Sequence, residues 1–421
     1  MRTATRWTAS AATPLLVLLL VTLPAIASIE KANPEDVGLS TDRLERIHDA
    51  IQRHIEDGNI TGAVTAASRQ GRLAHLEAHG LMDLESGTAM TEDAIFKIMS
   101  MTKPVVGVAI LMLMEEGGLR LRDPVSRFIP ELADLTVAVE TPGRRGRGEG
   151  PPPFHTVPAN RPITVQDLLT HTSGLASGAI SSREAGRVAP QQPTDTLADL
   201  IPKLGQAPLE FQPGDRWSYS PSRGFDVLLR IVEIASGQPA DQFLHTRIFE
   251  PLGMKDTLFW APETHGSRVV TVYRQTPDGL TRSQNQVGAT SQTYFSGGGG
   301  LMSTATDYLQ FGQMLQNGGE LNGHRLLSPK TVELMASTFV EEFGFGRVSP
   351  GLGFGLSVQV VNDPVAAGQR VGAGSFGWDG AYGTHFWVDP TEDIVGVVMI
   401  QTPNFQVSRD VENALMQAIV E

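Results

Sequence analysis

The sequence FKIMSMTKP at residues 96–104 leads directly into the apolar run VVGVAILMLM at residues 105–114. Apolar residues on every side of a run of this length predict a helix that is buried all round, at the centre of a large domain. The glycines at positions 117 and 118 end this helix, and Pro104 is tolerated because the first turn has no use for its missing N–H. We therefore expect the domain to be organised around this helix, with Ser100 at its mouth.

Ser100 and Lys103 lie three positions apart, a spacing that puts a hydroxyl and an amine on the same face of a helix. A serine hydroxyl is a weak nucleophile until a base takes its proton, and a lysine amine can act as that base when burial favours its neutral form. The N-terminus of the helix also favours negative charge that develops near Ser100. The same Ser-x-x-Lys pattern recurs at residues 28–31, so the pattern alone is a weak signal.

Composition excludes several classes of function. A chain of 421 residues with 41% hydrophobic and 19% charged residues is typical of a soluble globular enzyme. Its net charge of −13 argues against nucleic acid or an anionic membrane as a partner. The absence of cysteine excludes disulfides, thiolate metal sites and cysteine catalysis. Since the sequence also has no His-Glu-x-x-His motif, P-loop or dinucleotide fingerprint, we expect no metal and no cofactor. The lack of Gly-x-Ser-x-Gly counts against an α/β-hydrolase.

The N-terminus has the pattern of a signal peptide. Arg2 and Arg6 precede the apolar run LLVLLLV at residues 15–21, and Ala25-Ile26-Ala27 resembles a cleavage site for small residues. An uncleaved membrane anchor is the alternative, but the apolar segment is short for a span. We therefore predict a signal peptide at residues 1–27 with cleavage near Ala27. This predicts a periplasmic or secreted protein with no membrane association beyond that peptide.

Strand patterns lie at both ends of the chain and helical patterns in the middle. Such an order requires the two ends to join in one sheet, which predicts an α+β fold: an antiparallel sheet with flanking helices and an inserted, mostly helical lobe. We expect one catalytic domain at residues 28–421, with an α/β lobe at about 28–120 and 290–421 and a helical lobe at about 121–289. A cleft between the lobes is the expected place for a site. The predicted helices are residues 40–57, 105–114, 163–169, 225–236, 306–317 and 407–420, and the predicted strands are residues 62–68, 73–81, 353–361, 383–388 and 394–401.

An acyl-transfer site also needs a second proton carrier and an oxyanion donor. Tyr219 is the candidate carrier, although a tyrosine packed by its ring is the alternative. The backbone N–H groups of Ser100 and Ala381 are the candidate oxyanion donors, because the glycines around residues 377–383 allow close approach to a ligand. His171 is either a catalytic base or a turn histidine whose ring bonds to the backbone, and the second interpretation is favoured.

Together these motifs resemble the serine β-lactamase and penicillin-binding-protein superfamily, and more narrowly the class C-like family VIII carboxylesterases. The similarity runs from about Ser40 to the end of the chain, with the motifs in the family's order. The motifs are SMTK at 100–103, ITVQDLLTHTSGL at 163–175, YS at 219–220, PLGMKDT at 251–257, GGL at 299–301, GWDG at 377–380 and FWVDP at 386–390.

The resemblance implies a β-lactamase/transpeptidase-like fold and a role for each matching residue. Ser100 would be the acylated nucleophile, Lys103 its base partner and Tyr219 the second member of the proton relay. Trp378, Asp379 and Gly380 would bind substrate, since they stand where the lactamases keep Lys-Thr-Gly.

Two departures from the lactamase pattern favour another substrate. Pro221 replaces the asparagine of the class C Tyr-x-Asn motif, and Trp378-Asp379 replaces the Lys-Thr pair that engages the β-lactam carboxylate. An acid at that position is expected to repel an anionic substrate by about 1 kcal/mol or more. A neutral substrate with an apolar part against Trp378 is therefore expected.

The sequence thus predicts a serine hydrolase that forms an acyl-enzyme at Ser100, acting as a carboxylesterase on small neutral esters. Its partner is a small-molecule ester or amide. The alternatives are a weak class C-like β-lactamase or D-alanyl-D-alanine peptidase, acyl transfer to an alcohol, and a non-catalytic binding protein on the same scaffold.

Overall fold

The computed structural model describes residues 29–141, 153–284, 292–341, 343–345 and 348–421, so the predicted signal peptide lies outside the described residues. Among the described residues, no helix combines the length and the hydropathy needed to cross a bilayer. The helices are α1 (Thr41–Glu56), α2 (Thr102–Glu115), α3 (Val165–Leu169), α4 (Ala179–Val188), α5 (Leu197–Leu200), α6 (Arg223–Ser236), α7 (Ala240–Leu244), α8 (Glu250–Leu252), α9 (Ala305–Gln316), α10 (Pro329–Met335), α11 (Pro364–Ala367) and α12 (Phe405–Ala418). The strands are β1 (Gly62–Arg69), β2 (Arg72–Asp83), β3 (Thr88–Ala89), β4 (Phe96–Lys97), β5 (Thr136–Glu140), β6 (Phe154–Pro158), β7 (Tyr273–Thr276), β8 (Gly279–Arg282), β9 (Met302–Ser303), β10 (Glu320–Leu321), β11 (His324–Arg325), β12 (Leu352–Phe354), β13 (Gln359–Val361), β14 (Phe376–Asp379), β15 (His385–Asp389) and β16 (Ile394–Met399).

One antiparallel sheet joins the two ends of the chain. Its strand order within the described residues is β12-β13-β14-β15-β16-β1-β2-β3. The junction is the pairing of β1 with β16, in which Val64 lies opposite Met399 and Arg69 opposite Ile394. The predicted α+β fold, with a sheet made from both ends of the chain and a helical insertion, is confirmed.

Both faces of this sheet are covered by helices. Helices α1 and α12 pack on one face, and α9 packs on the other. The side chains of β16 alternate accordingly: Ile394 and Val398 join the apolar layer beneath α1 and α12, while Val395 joins the layer on the α9 side. Every residue of β16 is buried because a strand covered on both faces has no solvent side.

Helix α2 lies in the core, as predicted. Every residue from Thr102 to Leu113 is buried. Gly107 is required at its position, since a Cβ atom there would overlap the side chain of Ser357. The helix packs against α6 of the helical insertion, so it connects the sheet region with that insertion.

The predicted single strand at residues 353–361 is wrong, because the structure has two short strands, β12 and β13, with a tight turn between them. The Gly355 N–H donates to the Val358 carbonyl at 2.8 Å, and Ser357 adopts a φ of +69°. The turn is tied to the helical insertion, because the Ser357 N–H donates to the Leu169 carbonyl at 3.0 Å. Hairpin formation therefore overrides a hydrophobic pattern that continues across the turn.

Candidate active site

Ser100 lies in a strained turn at the start of α2. Residues Met99–Met101 form a single 3-10 turn, and Met99 has a φ of +48°. A non-glycine residue in the left-handed region costs about 1–2 kcal/mol, so the surrounding structure must impose it. The Ile98 N–H donates to the Leu301 carbonyl at 3.1 Å, and β4 pairs with β9 just before the turn. These contacts fix the approach of the chain to Ser100.

The amine of Lys103 is buried among three oxygen atoms. Its Nζ lies 3.1 Å from Ser100 Oγ, 2.7 Å from the Pro221 carbonyl and 2.6 Å from the Gly298 carbonyl, and the residue is 0% exposed. An ammonium group has three N–H donors, which these acceptors satisfy. In the neutral amine two N–H groups would keep the carbonyls, and the lone pair would point at Ser100. The site therefore accommodates both forms of the lysine that a proton transfer needs.

Tyr219 lies in the loop before α6, and its hydroxyl contacts the same Ser100 oxygen as Lys103 does. Its hydroxyl donates to Ser100 Oγ at 2.7 Å. Lys103 Nζ also lies 4.9 Å from the centre of the phenol ring, close enough for a cation–π contact. The structure thus brings the predicted residues Ser100, Lys103 and Tyr219 together around one oxygen atom.

The imidazole ring of His171 packs against the ring of Tyr219. Its ring centre is 4.6 Å from that of Tyr219, and its Nδ1 accepts the Ser220 N–H at 3.2 Å. Burial, together with the nearby Lys103 ammonium, lowers the pKa of His171 well below its usual range. The imidazole is therefore neutral at physiological pH. The interpretation as a turn histidine bonded to the backbone is confirmed.

Asp226 on α6 holds the loop that supplies the Gly298 carbonyl. The carboxylate is 0% exposed and accepts hydrogen bonds from Ser296 Oγ at 2.7 Å, the Gly298 N–H at 3.2 Å and the Tyr294 hydroxyl at 2.7 Å. Because Gly298 is bound on its N–H side by Asp226, its carbonyl is held against Lys103. Sequence reasoning missed this residue, although an aspartate between Phe225 and Val227 on an apolar helix is a signal that points to a buried polar contact.

The turn that contains Ala381 lies against the backbone that precedes Ser100. The Thr384 hydroxyl donates to the Ile98 carbonyl at 3.2 Å, and the Gly380 N–H donates to the Thr384 carbonyl at 2.7 Å. A side chain at Gly380 would overlap the same Ile98 carbonyl, so glycine is needed for this approach. Within the part of the chain that the structure describes, neither the Ser100 N–H nor the Ala381 N–H donates to a backbone carbonyl. The pairing of these two N–H groups as oxyanion donors stays a prediction.

Trp378 and Asp379 lie on opposite faces of β14, as successive residues of a strand do. Trp378 packs against Tyr219 and Phe354, with ring centres 5.7 and 5.2 Å away. Asp379 instead pairs with His385 on the face that α12 covers, at 2.6 Å between Oδ1 and Nδ1. The expectation that the Asp379 carboxylate faces the substrate and repels anions is not supported by this arrangement. A one-residue difference in strand phase changes the face of every side chain, and sequence alone does not give that phase.

His385 neutralises the Asp379 carboxylate. Burial alone lowers the pKa of an imidazole, but here the Asp379 carboxylate and Glu412, whose Oε2 lies 3.7 Å from Nε2, raise the pKa of His385 to about 9. The ring is therefore protonated at neutral pH. Asp379 therefore forms an ion pair with His385, while its side chain stays 45% exposed, and its role in substrate binding stays a prediction.

Tyr219 lines an open cleft of about 1110 Å³, whereas Ser100 and Lys103 are not among the described residues that line it. Its apolar wall comprises Trp217, Phe343 and Phe345. The ring centres of Phe343 and Phe345 lie 4.8 and 5.4 Å from that of Trp217. Among the described residues that line it, the cations are Arg161, which pairs with Asp167, and Arg216. The cleft therefore presents aromatic surface and little unpaired positive charge.

Comparisons with known proteins agree with this geometry. Residues 47–421 match the family model described as Beta-lactamase. Protein Rv1367c of Mycobacterium tuberculosis is 37% identical over 366 residues, which are 84% of this chain and 88% of that protein. Esterase EstB of Burkholderia gladioli is 30% identical over 404 residues, covering 90% of this chain and 94% of the esterase.

A solved structure supports the same assignment. The chain superposes on EstCE1, described as a hydrolase with promiscuous acyltransferase activity, with a TM-score of 0.74 and 26% identity over 89% of this chain and 99% of that one. The family match covers most of the sequence, and the superposition extends over both the sheet and the helical insertion. The chain therefore belongs to the beta-lactamase family.

Proposed function

We propose that this protein is a serine hydrolase of the carboxylesterase type, which forms an acyl-enzyme at Ser100. The observation that supports this proposal most strongly is the position of Ser100 Oγ, 3.1 Å from Lys103 Nζ and 2.7 Å from the Tyr219 hydroxyl. A hydroxyl with a base and a second proton carrier within hydrogen-bond reach is the arrangement that nucleophilic catalysis requires.

Acylation would begin when Ser100 Oγ attacks the ester carbonyl carbon and its proton passes to the amine of Lys103. The carbonyl oxygen becomes an oxyanion, for which the Ser100 and Ala381 N–H groups are the proposed donors. When the tetrahedral intermediate collapses, the bond to the alcohol oxygen breaks. Tyr219 donates its proton to the departing alkoxide and regains a proton from the Lys103 ammonium.

Deacylation would follow the same path with water in place of the alcohol. The water oxygen attacks the acyl carbon, and its proton passes to the neutral amine of Lys103, directly or through the Tyr219 hydroxyl, which gives its own proton to the amine as it takes one from water. The bond to Ser100 Oγ then breaks, and the Lys103 ammonium is the source of the proton that Ser100 takes up. Ser100 recovers its proton and the carboxylic acid leaves. The hydrogen bonds from Lys103 Nζ to the carbonyls of Pro221 and Gly298 hold the amine in place through both half-reactions.

Neutral esters with an apolar part are the proposed substrates. The aromatic wall of Trp217, Phe343 and Phe345 offers contact to an apolar group, and Lys103 Nζ is already bonded to the carbonyls of Pro221 and Gly298. Of the two arginines that line the cleft, Arg161 is paired with Asp167, and Arg216 lies over the ring of Phe211 with its Cζ atom 4.7 Å from the ring centre. The esterase name of EstB, at 30% identity, supports the same substrate class.

We also propose that the protein acts in the periplasm or outside the cell. The support is the pattern of residues 1–27, in which arginines precede an apolar run and a small-residue cleavage site. Expression of the full chain in a bacterial host tests this, because export predicts a processed protein in the periplasmic fraction whose N-terminus is near Ser28. An intact chain in the cytoplasmic fraction would contradict the proposal.

Activity on two chromogenic substrates tests the proposed function. The wild-type protein and the Ser100→Ala variant are assayed side by side on p-nitrophenyl butyrate and on nitrocefin. The proposal predicts ester cleavage that disappears in Ser100→Ala, with little nitrocefin turnover. Rapid nitrocefin turnover would favour the β-lactamase alternative, and a folded wild-type protein inert towards both substrates would favour a peptidase or a binding protein.

A further inference from the structure

A cluster of histidine and glutamate side chains lies on the sheet face opposite Ser100. Strand β2 contains the sequence HLEAH at residues 75–79, in which His75, Glu77 and His79 occupy alternate positions and therefore share one face. Thr65 of β1 lies directly opposite Glu77. Helix α1 crosses this face and brings His48 onto the cluster, since His48 Nδ1 is 2.7 Å from Glu77 Oε1.

The three side chains His48, Glu77 and His79 converge on a small volume. His79 Nε2 lies 3.7 Å from Glu77 Oε2, and the rings of His48 and His79 are 5.4 Å apart between centres. One ligand atom from each residue lies within 4.8 Å of the others. The ligand atoms of a tetrahedral zinc site are separated by roughly 3.4 Å, because each bond is about 2.1 Å long. Metal binding therefore requires the three ligand atoms to move closer together than they are in the metal-free structure.

We propose that His48, Glu77 and His79 bind a divalent transition-metal ion of the Zn²⁺ class. Two imidazoles and one carboxylate are a common donor set for such an ion. The side chains of His48 and Glu77 are 42% and 36% exposed, so the ion can enter from solvent and keep water as a further ligand. His79 is fully buried and provides the inner, rigid ligand.

The hydrogen bonds around the cluster are compatible with metal binding. His79 Nε2 faces Glu77 at 3.7 Å from Oε2, and a neutral imidazole is the form that binds metal. Within the described residues, its Nδ1 has no hydrogen-bond partner. Thr65 Oγ1 is shared between His75 Nε2 at 2.8 Å and His79 Nε2 at 3.3 Å, so it keeps a partner when a metal takes His79.

In the metal-free structure, the hydrogen bond between His48 Nδ1 and Glu77 Oε1 joins α1 to β2. A metal ion would replace that hydrogen bond and connect α1 to β2 through three coordinate bonds. Because metal binding requires the folded arrangement of two elements, it is expected to stabilise the native state.

The test uses protein without a histidine tag, treated with a chelator and dialysed. Titration with Co²⁺ is followed by visible absorption, which reports nitrogen coordination, and titration with Zn²⁺ by calorimetry. The variants are His48→Ala and Glu77→Gln, both at partly exposed positions, and the control is His324→Ala at an exposed position on β11.

The proposal predicts one equivalent of bound metal, a visible Co²⁺ spectrum and a rise in Tm that saturates at one equivalent. Each of the two variants is expected to weaken binding by about tenfold or more, while His324→Ala binds like the wild-type protein. The proposal is overturned if the wild-type protein binds no metal, or if His48→Ala and Glu77→Gln both retain the wild-type affinity.

Discussion

Replacing Tyr219 with phenylalanine removes one hydroxyl and leaves an aromatic ring of the same shape. The ring contacts with His171, Phe345 and Trp378, at 4.6, 5.3 and 5.7 Å between centres, do not involve that hydroxyl. What is lost is the hydrogen bond of 2.7 Å to Ser100 Oγ and the proton that it transfers. We therefore expect the fold and the KM for esters to be nearly unchanged.

The expected loss falls on the chemical step. A positioned general acid or base contributes about 10²- to 10⁴-fold to a rate, which is about 3–5 kcal/mol of barrier height. We predict a fall of that size in kcat for p-nitrophenyl esters. The measurement is steady-state hydrolysis, with the folded state checked by circular dichroism and by Tm.

Tyr273→Phe is the matched control for this experiment. Tyr273 is 2% exposed, and its hydroxyl accepts the Leu84 N–H at 3.0 Å, away from Ser100. Its loss is expected to cost about 1 kcal/mol of stability and leave kcat within about twofold. If Tyr219→Phe kept more than about a tenth of the wild-type kcat, the assignment of Tyr219 as a proton carrier would be refuted.

Three further predictions concern the surroundings of this site. Asp226→Asn removes the buried negative charge that pairs with Arg223 at 3.3 Å and accepts the Gly298 N–H, so the free energy of unfolding is expected to fall by about 3–5 kcal/mol, and an unchanged denaturant midpoint would contradict this. His385 has a folded pKa of about 9, above the unfolded value of about 6.5, so its pairing stabilises the protein fully below pH 6.5 and is lost as the pH rises towards 9. Between pH 6.5 and 9 the free energy of unfolding of the wild-type protein should therefore fall by up to about 3 kcal/mol through this group, and His385→Gln should lack that fall. The same pH slope of the unfolding free energy in both proteins would contradict this account. Asp379→Asn should leave the ratio of nitrocefin to ester turnover within about threefold, because the carboxylate pairs with His385, whereas a carboxylate facing the substrate predicts about a fivefold or larger rise in nitrocefin turnover.

Local patterns in the sequence predicted most of the fold. The buried helix α2 followed from an unbroken apolar run, and the joined sheet followed from strand patterns at both ends of the chain. Ser100 and Lys103 are one helical turn apart, so their approach is a property of local geometry. Tyr219 was a candidate proton carrier from the residues themselves, and the family resemblance implied the same role, although its contact with Ser100 joins segments 119 positions apart.

The remaining features depend on contacts between distant segments. Asp226 meets the Gly298 N–H across 72 positions of sequence, and no periodicity indicates that pairing. The left-handed conformation of Met99 is imposed by the packing around it. The face to which Asp379 points depends on the phase of β14, which a shift of one residue reverses. These are the points at which tertiary structure decides between local alternatives.

Mass spectrometry of the acyl-enzyme tests the central claim most directly. The wild-type protein and Ser100→Ala are mixed briefly with p-nitrophenyl butyrate, quenched in acid, and analysed as intact chains and as peptides. The account predicts a butyryl adduct on the wild-type protein that maps to Ser100, and none on Ser100→Ala. An adduct on another residue, or ester hydrolysis that persists in Ser100→Ala, would contradict it.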